Sequence, residues 1–167
     1  MFERRAKTCC FSGHRAIPEK ERELLSQQLE EAIISTMEKG YRYFKTGGAL
    51  GFDLLAADTV LRLKKRGHRI KLILVLPCKT QTKYWKDDDK AEYERIKRQA
   101  DRVIYTAKDY YQGCMHQRNR ALVDGSSFCI CYLTSQRGGT AYTVRYAKEQ
   151  GVTVMNLAQA RTPLVCS

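Results

Sequence analysis

The sequence predicts an α/β protein: a three-layer sandwich with a mostly parallel sheet of about six strands and helices on both faces. Short apolar runs alternate with segments of helical period along the chain, an order that builds parallel sheets through crossover connections. The run ILVL, inside Ile70–Pro77, is apolar without interruption, as strands buried on both faces are. Polar or glycine-rich segments follow five of the expected strands. In such sheets ligands bind beyond the carboxyl ends of the strands, where strand order reverses.

Lys7–Ser12 reads as the first strand, short and apolar. Pro18 opens a helix that runs to Lys39, with Leu25, Leu29, Ala32, Ile33 and Met37 on one face and Gly40 as its stop. Tyr41–Lys45 is the second strand, Phe52–Arg66 a helix stopped by Gly67, and Ile70–Leu76 the third strand. Asp87–Ala100 carries acids in its first turn and bases in its last, which suits a helix dipole. Arg102–Thr106, Cys114–Val123, Phe128–Leu133, Thr140–Gln150 and Val152–Leu157 continue as strand, helix, strand, helix, strand. One domain is expected over residues 1–157, followed by a C-terminal tail over 158–167.

A chain of 167 residues buries enough surface to fold without disulfide or metal staples. The N-terminus MFERRAKTCCF lacks the apolar stretch of a signal peptide. No apolar run approaches the roughly 20 residues that span a bilayer. The expected setting is cytoplasmic, with no membrane partner. The seven cysteines form no C-x-x-C pair, so the usual zinc and thioredoxin spacings are absent, and no metal or cofactor is expected. Cys9, Cys10, Cys129 and Cys131 fall in strand patterns and read as buried reduced thiols; Cys78 and Cys114 are expected nearer the surface. His68 and His116 have no partner at metal-ligand spacing and read as surface residues. The net charge of +12 attracts anions, nucleotides and nucleic acid among them. Its bases are dispersed over helix ends, so charge alone does not choose among these partners.

The loops are more specific. In TGGALGFD (46–53), Gly47 and Gly48 allow positive φ and close approach by a ligand. The helix that follows aims free N–H groups at an anion, and Gly51 allows tight packing. The spacing matches neither the dinucleotide fingerprint nor the P-loop. Asp53 stands in the first turn of that helix. It is a candidate to bond a ribose hydroxyl, to act as a base, or simply to favour the helix terminus. RGGT (137–140) repeats the design, with Gly138 and Gly139 before a helix that Thr140 could cap. SGHR (12–15) places Gly13, His14 and Arg15 after the first strand, with Arg15 a natural phosphate fork. Arg118 and Asn119 face the same edge. Trp85, the sole tryptophan, sits after the third strand, where it could stack on a base or anchor its own loop.

Taken together, SGHR, TGGALGFD, PCKTQTKYW, MHQRNRALVD and RGGTAYTVRYAKEQG resemble the YpsA-like family of the SLOG superfamily, from about Lys7 to Leu157. The resemblance implies a Rossmann-like fold and a nucleotide or nucleotide-derived ligand. It implies ligand roles for Gly13, His14 and Arg15, for Thr46, Gly47, Gly48, Ala49, Gly51 and Asp53, for Arg118 and Asn119, and for Gly138, Gly139 and Thr140. Related phosphoribohydrolases carry PGGxGTxxE with a working Glu. RGGTAYTVRYA has no such Glu, and Asp53 is the acid placed to substitute.

The expected function is therefore binding: a sensor or regulator holding a nucleotide-like small molecule, such as ADP-ribose or a dinucleotide, at the carboxyl edge of the sheet. Trp85 would cover the base. An N-glycosidase, with Asp53 stabilising an oxocarbenium-like ribose cation or activating water, is the alternative. A single-stranded nucleic-acid binder ranks behind both, and a homo-oligomer is compatible with the sequence.

Overall fold

The computed structural model describes residues 2–159. Twelve elements follow one another: α1 (Phe2–Ala6), β1 (Thr8–Gly13), α2 (Glu19–Glu38), β2 (Tyr43–Thr46), α3 (Phe52–Lys65), β3 (Lys71–Leu76), α4 (Asp87–Gln99), β4 (Arg102–Tyr105), α5 (Cys114–Asp124), β5 (Phe128–Tyr132), α6 (Gly139–Glu149) and β6 (Thr153–Asn156). Every expected strand and helix is present, displaced by at most a few residues at its ends. The addition is α1, a five-residue turn of helix too short to show a hydrophobic period. Most of the expected tail, residues 160–167, lies outside the described residues.

The sheet has six strands in the order β4-β3-β2-β1-β5-β6, and every pairing is parallel. Alternation along the strands divides the core in two. On one face, Cys9, Phe11, Phe44, Leu72, Leu74, Leu76 and Ile130 meet Leu25 and Leu29 of α2, Val60 of α3 and Ile96 of α4. On the other, Cys10, Ile73, Val75, Cys129 and Cys131 meet Leu122 of α5 and Val144 of α6. The result is an α/β Rossmann-like sandwich. Gly40 and Gly67 stop α2 and α3 at φ 103° and 101°. Among the described residues no helix is long and apolar enough to cross a membrane.

Two cysteines lie deeper than the sequence predicts. Cys9, Cys10, Cys129 and Cys131 are buried free thiols, but so are Cys78 and Cys114. The chain after Pro77 turns inward, leaving the Cys78 Sγ 3.5 Å from Thr80 Oγ1. Gly113, at φ 98°, turns the chain into α5, and Cys114 is fully buried there. His116 is exposed and His68 half-buried.

Candidate functional site

The strand order reverses beside β1. From β1 the chain steps outward through β2, β3 and β4, then returns to place β5 and β6 on the other side. The carboxyl ends of β1 and β5 therefore diverge, and a cleft of about 250 Å³ opens there. It is lined by Gly13, His14 and Arg15 from the end of β1, Ala49 and Asp53 around the α3 turn, Arg118 and Asn119 of α5, and Gly139 and Thr140 of α6. Four segments distant in sequence thus supply nine of the expected residues to one place.

The bare backbone of the first glycine turn is occupied by the protein itself. A Cβ on Gly47 would meet the Arg118 guanidinium, and one on Gly48 would stand 2.6 Å from Leu76 Cδ2. The same test puts Gly13 beneath the Phe52 ring and Gly51 against the His14 and Arg15 carbonyls. Thr46, buried, donates its hydroxyl to the Asp53 carbonyl at 3.2 Å. Thr46, Gly47, Gly48 and Gly51 thus shape the turn from behind, outside the cleft lining. The second glycine turn is open. A Cβ on Gly138 would meet nothing within 4 Å, and the nearest atom to one on Gly139 would be Asn119 Nδ2 at 3.9 Å. The expected cap differs: Gly138 is the N-cap of α6, with no side-chain cap bond, and Thr140 lies inside the helix. The first helical bond runs from Tyr142 N to Gly138 O at 3.1 Å. Among the described residues none accepts the N–H of Gly139, Thr140 or Ala141, as is usual for a first turn.

Charge in the cleft is unbalanced. Arg118 is 5% exposed. Its Nε donates to Asn119 Oδ1 at 2.8 Å and its Nη1 to the Gly47 carbonyl, both neutral acceptors. Among the described residues no carboxylate oxygen lies within 4 Å of it. Burial pulls its pKa below the ordinary arginine value, with Asp53 opposing, yet an arginine keeps its proton. Asp53, 6% exposed, accepts the Ala49 N–H at Oδ2, 3.2 Å away. Burial pushes its carboxyl up to about 6, against the pull of Arg118, the Ala49 N–H and Arg15. The cleft thus joins a buried cation to an acid whose pKa is raised to about 6.

A family model named YpsA, described as the YspA SLOG family, matches residues 12–159. The chain belongs to the YpsA family of SLOG proteins. Among relatives of this YpsA-family chain is an uncharacterised SPbeta prophage-derived protein, YoqJ, of Bacillus subtilis (strain 168). It is 33% identical over 72% of this chain and 76% of its own length. A UPF0398 protein of Halalkalibacterium halodurans is 29% identical over 75% of this chain and 68% of its own. The fold is shared with DNA processing protein A. The Helicobacter pylori protein, described as binding single-stranded DNA, superposes with TM-score 0.62 at 17% identity, over 91% of this chain and 65% of that one. The Streptococcus pneumoniae protein gives 0.64 at 17%, over 89% and 49%. This chain thus spans about half to about two thirds of the length of those two proteins.

Two more expected residues stand apart from the cleft in the YpsA-family fold. Gly138 is exposed just before α6. Half-buried Trp85 packs edge-on against Tyr93, centroids 5.4 Å apart, on the edge of the hydrophobic core of the α4 side. The cleft also recruits Phe11, Ser12, Gln81, Met115 and Leu122, which the sequence reading did not single out. Gln81 and Met115 lie within PCKTQTKYW and MHQRNRALVD. Their segments carried a signal; their side chains, neither charged nor glycine, carried none. Among the described residues no group of three or more His, Cys, Asp or Glu could hold a metal.

Proposed function

We propose that the cleft binds the phosphate end of a nucleotide-like ligand and that the protein acts as its sensor or regulator. The observation that carries this reading is Arg118: a buried guanidinium in a cleft wall, bonded to neutral oxygens. The opposing charge nearest in effect is Asp53, whose pKa burial raises to about 6 and which makes no ion-pair contact with the guanidinium within 4 Å, so an anion entering the cleft gains from the buried cation. Gly139 and Thr140, at the start of α6 where N–H groups have no protein acceptor among the described residues, line the same cleft, and a helix terminus favours an anion. Arg15, exposed at the mouth, adds a second cation. At about 250 Å³ the cleft is smaller than the roughly 300–1,000 Å³ of most ligand pockets. It suits a phosphate and sugar, leaving a base at the rim beside Met115, which is 36% exposed, rather than under Trp85. A thermal-shift screen against nucleoside phosphates, ADP-ribose and dinucleotides tests the reading. Stabilisation is expected with the wild type and lost in Arg118→Gln; no shift with any of them would sink it. Free base released in the same incubations, and lost in Asp53→Asn, would reveal turnover.

A second reading has its own support. Tyr84 and Tyr110 are 89% and 66% exposed, on loops after the neighbouring strands β3 and β4. Lys79, Lys83, Lys86 and Lys108 share those loops. Exposed aromatics among lysines suit single-stranded nucleic acid, which the Helicobacter pylori structural neighbour is described as binding. Binding to short single-stranded DNA that falls steeply with salt, and that Tyr84→Ala weakens, would favour this reading.

A further inference from the structure

We propose that His14 is a positioning residue, a clasp that holds the two glycine turns together through the bare Nε2 of its ring, and not a cation that meets the ligand. The proposal rests on the anion-site reading above. Its main-chain oxygen accepts the N–H of Phe52, the first residue of α3, at 3.1 Å. Its Nε2 accepts the N–H of Thr134 at 2.8 Å, at the start of the segment that leads from β5 to Gly138 and α6. One residue therefore bonds both turns.

An N–H can be accepted only by an unprotonated ring nitrogen. The contact with Thr134 thus fixes His14 as the neutral ring with its proton on Nδ1. The edge of Tyr132 holds the ring in place, centroids 6.0 Å apart. Partial burial lowers the His14 pKa and favours the same neutral form. The charged groups around it are Arg15, Asp53 of α3 and Arg118 of α5 along the cleft, with Glu21 of α2 behind Tyr132, whose hydroxyl it binds. The first turn of α6 brings no acid. Protonation would set one N–H against another and release residues 134–138. The open N–H groups of α6 would then lose their fixed aim.

The direction of the pH effect separates the two roles. A histidine touching the anion strengthens binding as it gains charge, whereas a clasp weakens it. Sulfate serves as the probe, because its own charge stays constant between about pH 5 and about pH 8. His14→Gln offers an amide oxygen near the place of Nε2 and does not titrate, so comparison with it removes the contribution of Asp53. At about pH 8, the wild type and His14→Gln are expected to bind sulfate alike and His14→Leu about tenfold more weakly. Once the pH is low enough to protonate His14, the wild type should fall about tenfold below His14→Gln. Wild type binding more tightly than His14→Gln at the lower pH, or His14→Leu matching wild type at the higher, would overturn the proposal. Amide exchange at Thr134 reads the clasp without any ligand. Protection present at the higher pH, and lost both at the lower pH and in His14→Leu, supports it; exchange unchanged by either rejects it. If the wild type binds no sulfate at all, the anion-site reading fails and the exchange result alone decides whether the clasp exists.

Discussion

A Cβ on Gly47 would stand 2.5 Å from Nη1 of Arg118, the atom that donates to the Gly47 carbonyl. The guanidinium lies over backbone that must stay bare, so the glycine and the arginine place one another. Gly47→Ala is expected to shift the guanidinium and cost about 1–3 kcal/mol of stability by overpacking. Sulfate affinity should fall about tenfold or more, since a cation misplaced by even 1 Å no longer aims its donors. Parallel denaturant melts and sulfate titrations check both effects. Wild-type affinity in the variant would remove Arg118 from the site.

Gly139 presents the opposite case. The nearest atom to its Cβ would be 3.9 Å away, and its φ is not positive, so alanine fits without strain. Gly139→Ala should leave the melting temperature unchanged or slightly higher, because alanine favours a helix by up to about 1 kcal/mol. The added methyl enters the cleft, and sulfate or nucleotide affinity should fall. Loss of stability together with affinity would instead mean that the turn itself had moved.

Gly138 isolates the backbone term. Its φ of 93° is strained for any side chain, while nothing lies within 4 Å of the added carbon. Gly138→Ala is expected to cost about 1–3 kcal/mol in a thermal or denaturant melt. It should also weaken anion binding by turning the N–H groups of α6 away. A variant as stable as the wild type would mean that the turn relaxes to another conformation.

These glycines show what the sequence could reveal and what it could not. Strand and helix periods, helix stops at Gly40 and Gly67, and the gathering of polar loops at one edge are local or topological signals, and all were legible. That TGGALGFD is bare for internal reasons was not. The group filling Gly47 comes from Arg118, 71 positions away, and the one beside Gly48 from Leu76. A glycine announces that something must come close; it does not say whether that is a ligand or the chain itself. The RGGT turn has the same letters but opens outward. Trp85 was ambiguous for a similar reason, because its partner Tyr93 lies in the next helix.

Asp53 supplies the pH dependence. Its folded pKa, about 6, lies above the ordinary 3.8, so between those values the native state holds more protons than the unfolded one. Stability from this group is therefore full below the unfolded value, falls as pH rises through the window, and is level above it. At about pH 8 the ionised carboxylate should cost on the order of 2–3 kcal/mol. Asp53→Asn keeps an oxygen for the Ala49 N–H and removes the charge. The variant should be more stable than wild type by about 1–3 kcal/mol at about pH 8, with the gain vanishing near pH 4. Sulfate should also bind it more tightly at the higher pH, since the negative charge opposing the anion is gone. Melts and titrations at the two pH values measure both changes. A variant less stable than wild type at the higher pH would reverse the assignment, because Arg118 would then depend on an ionised Asp53 as its counterion, and an anion entering the cleft would compete with that carboxylate instead of completing the site.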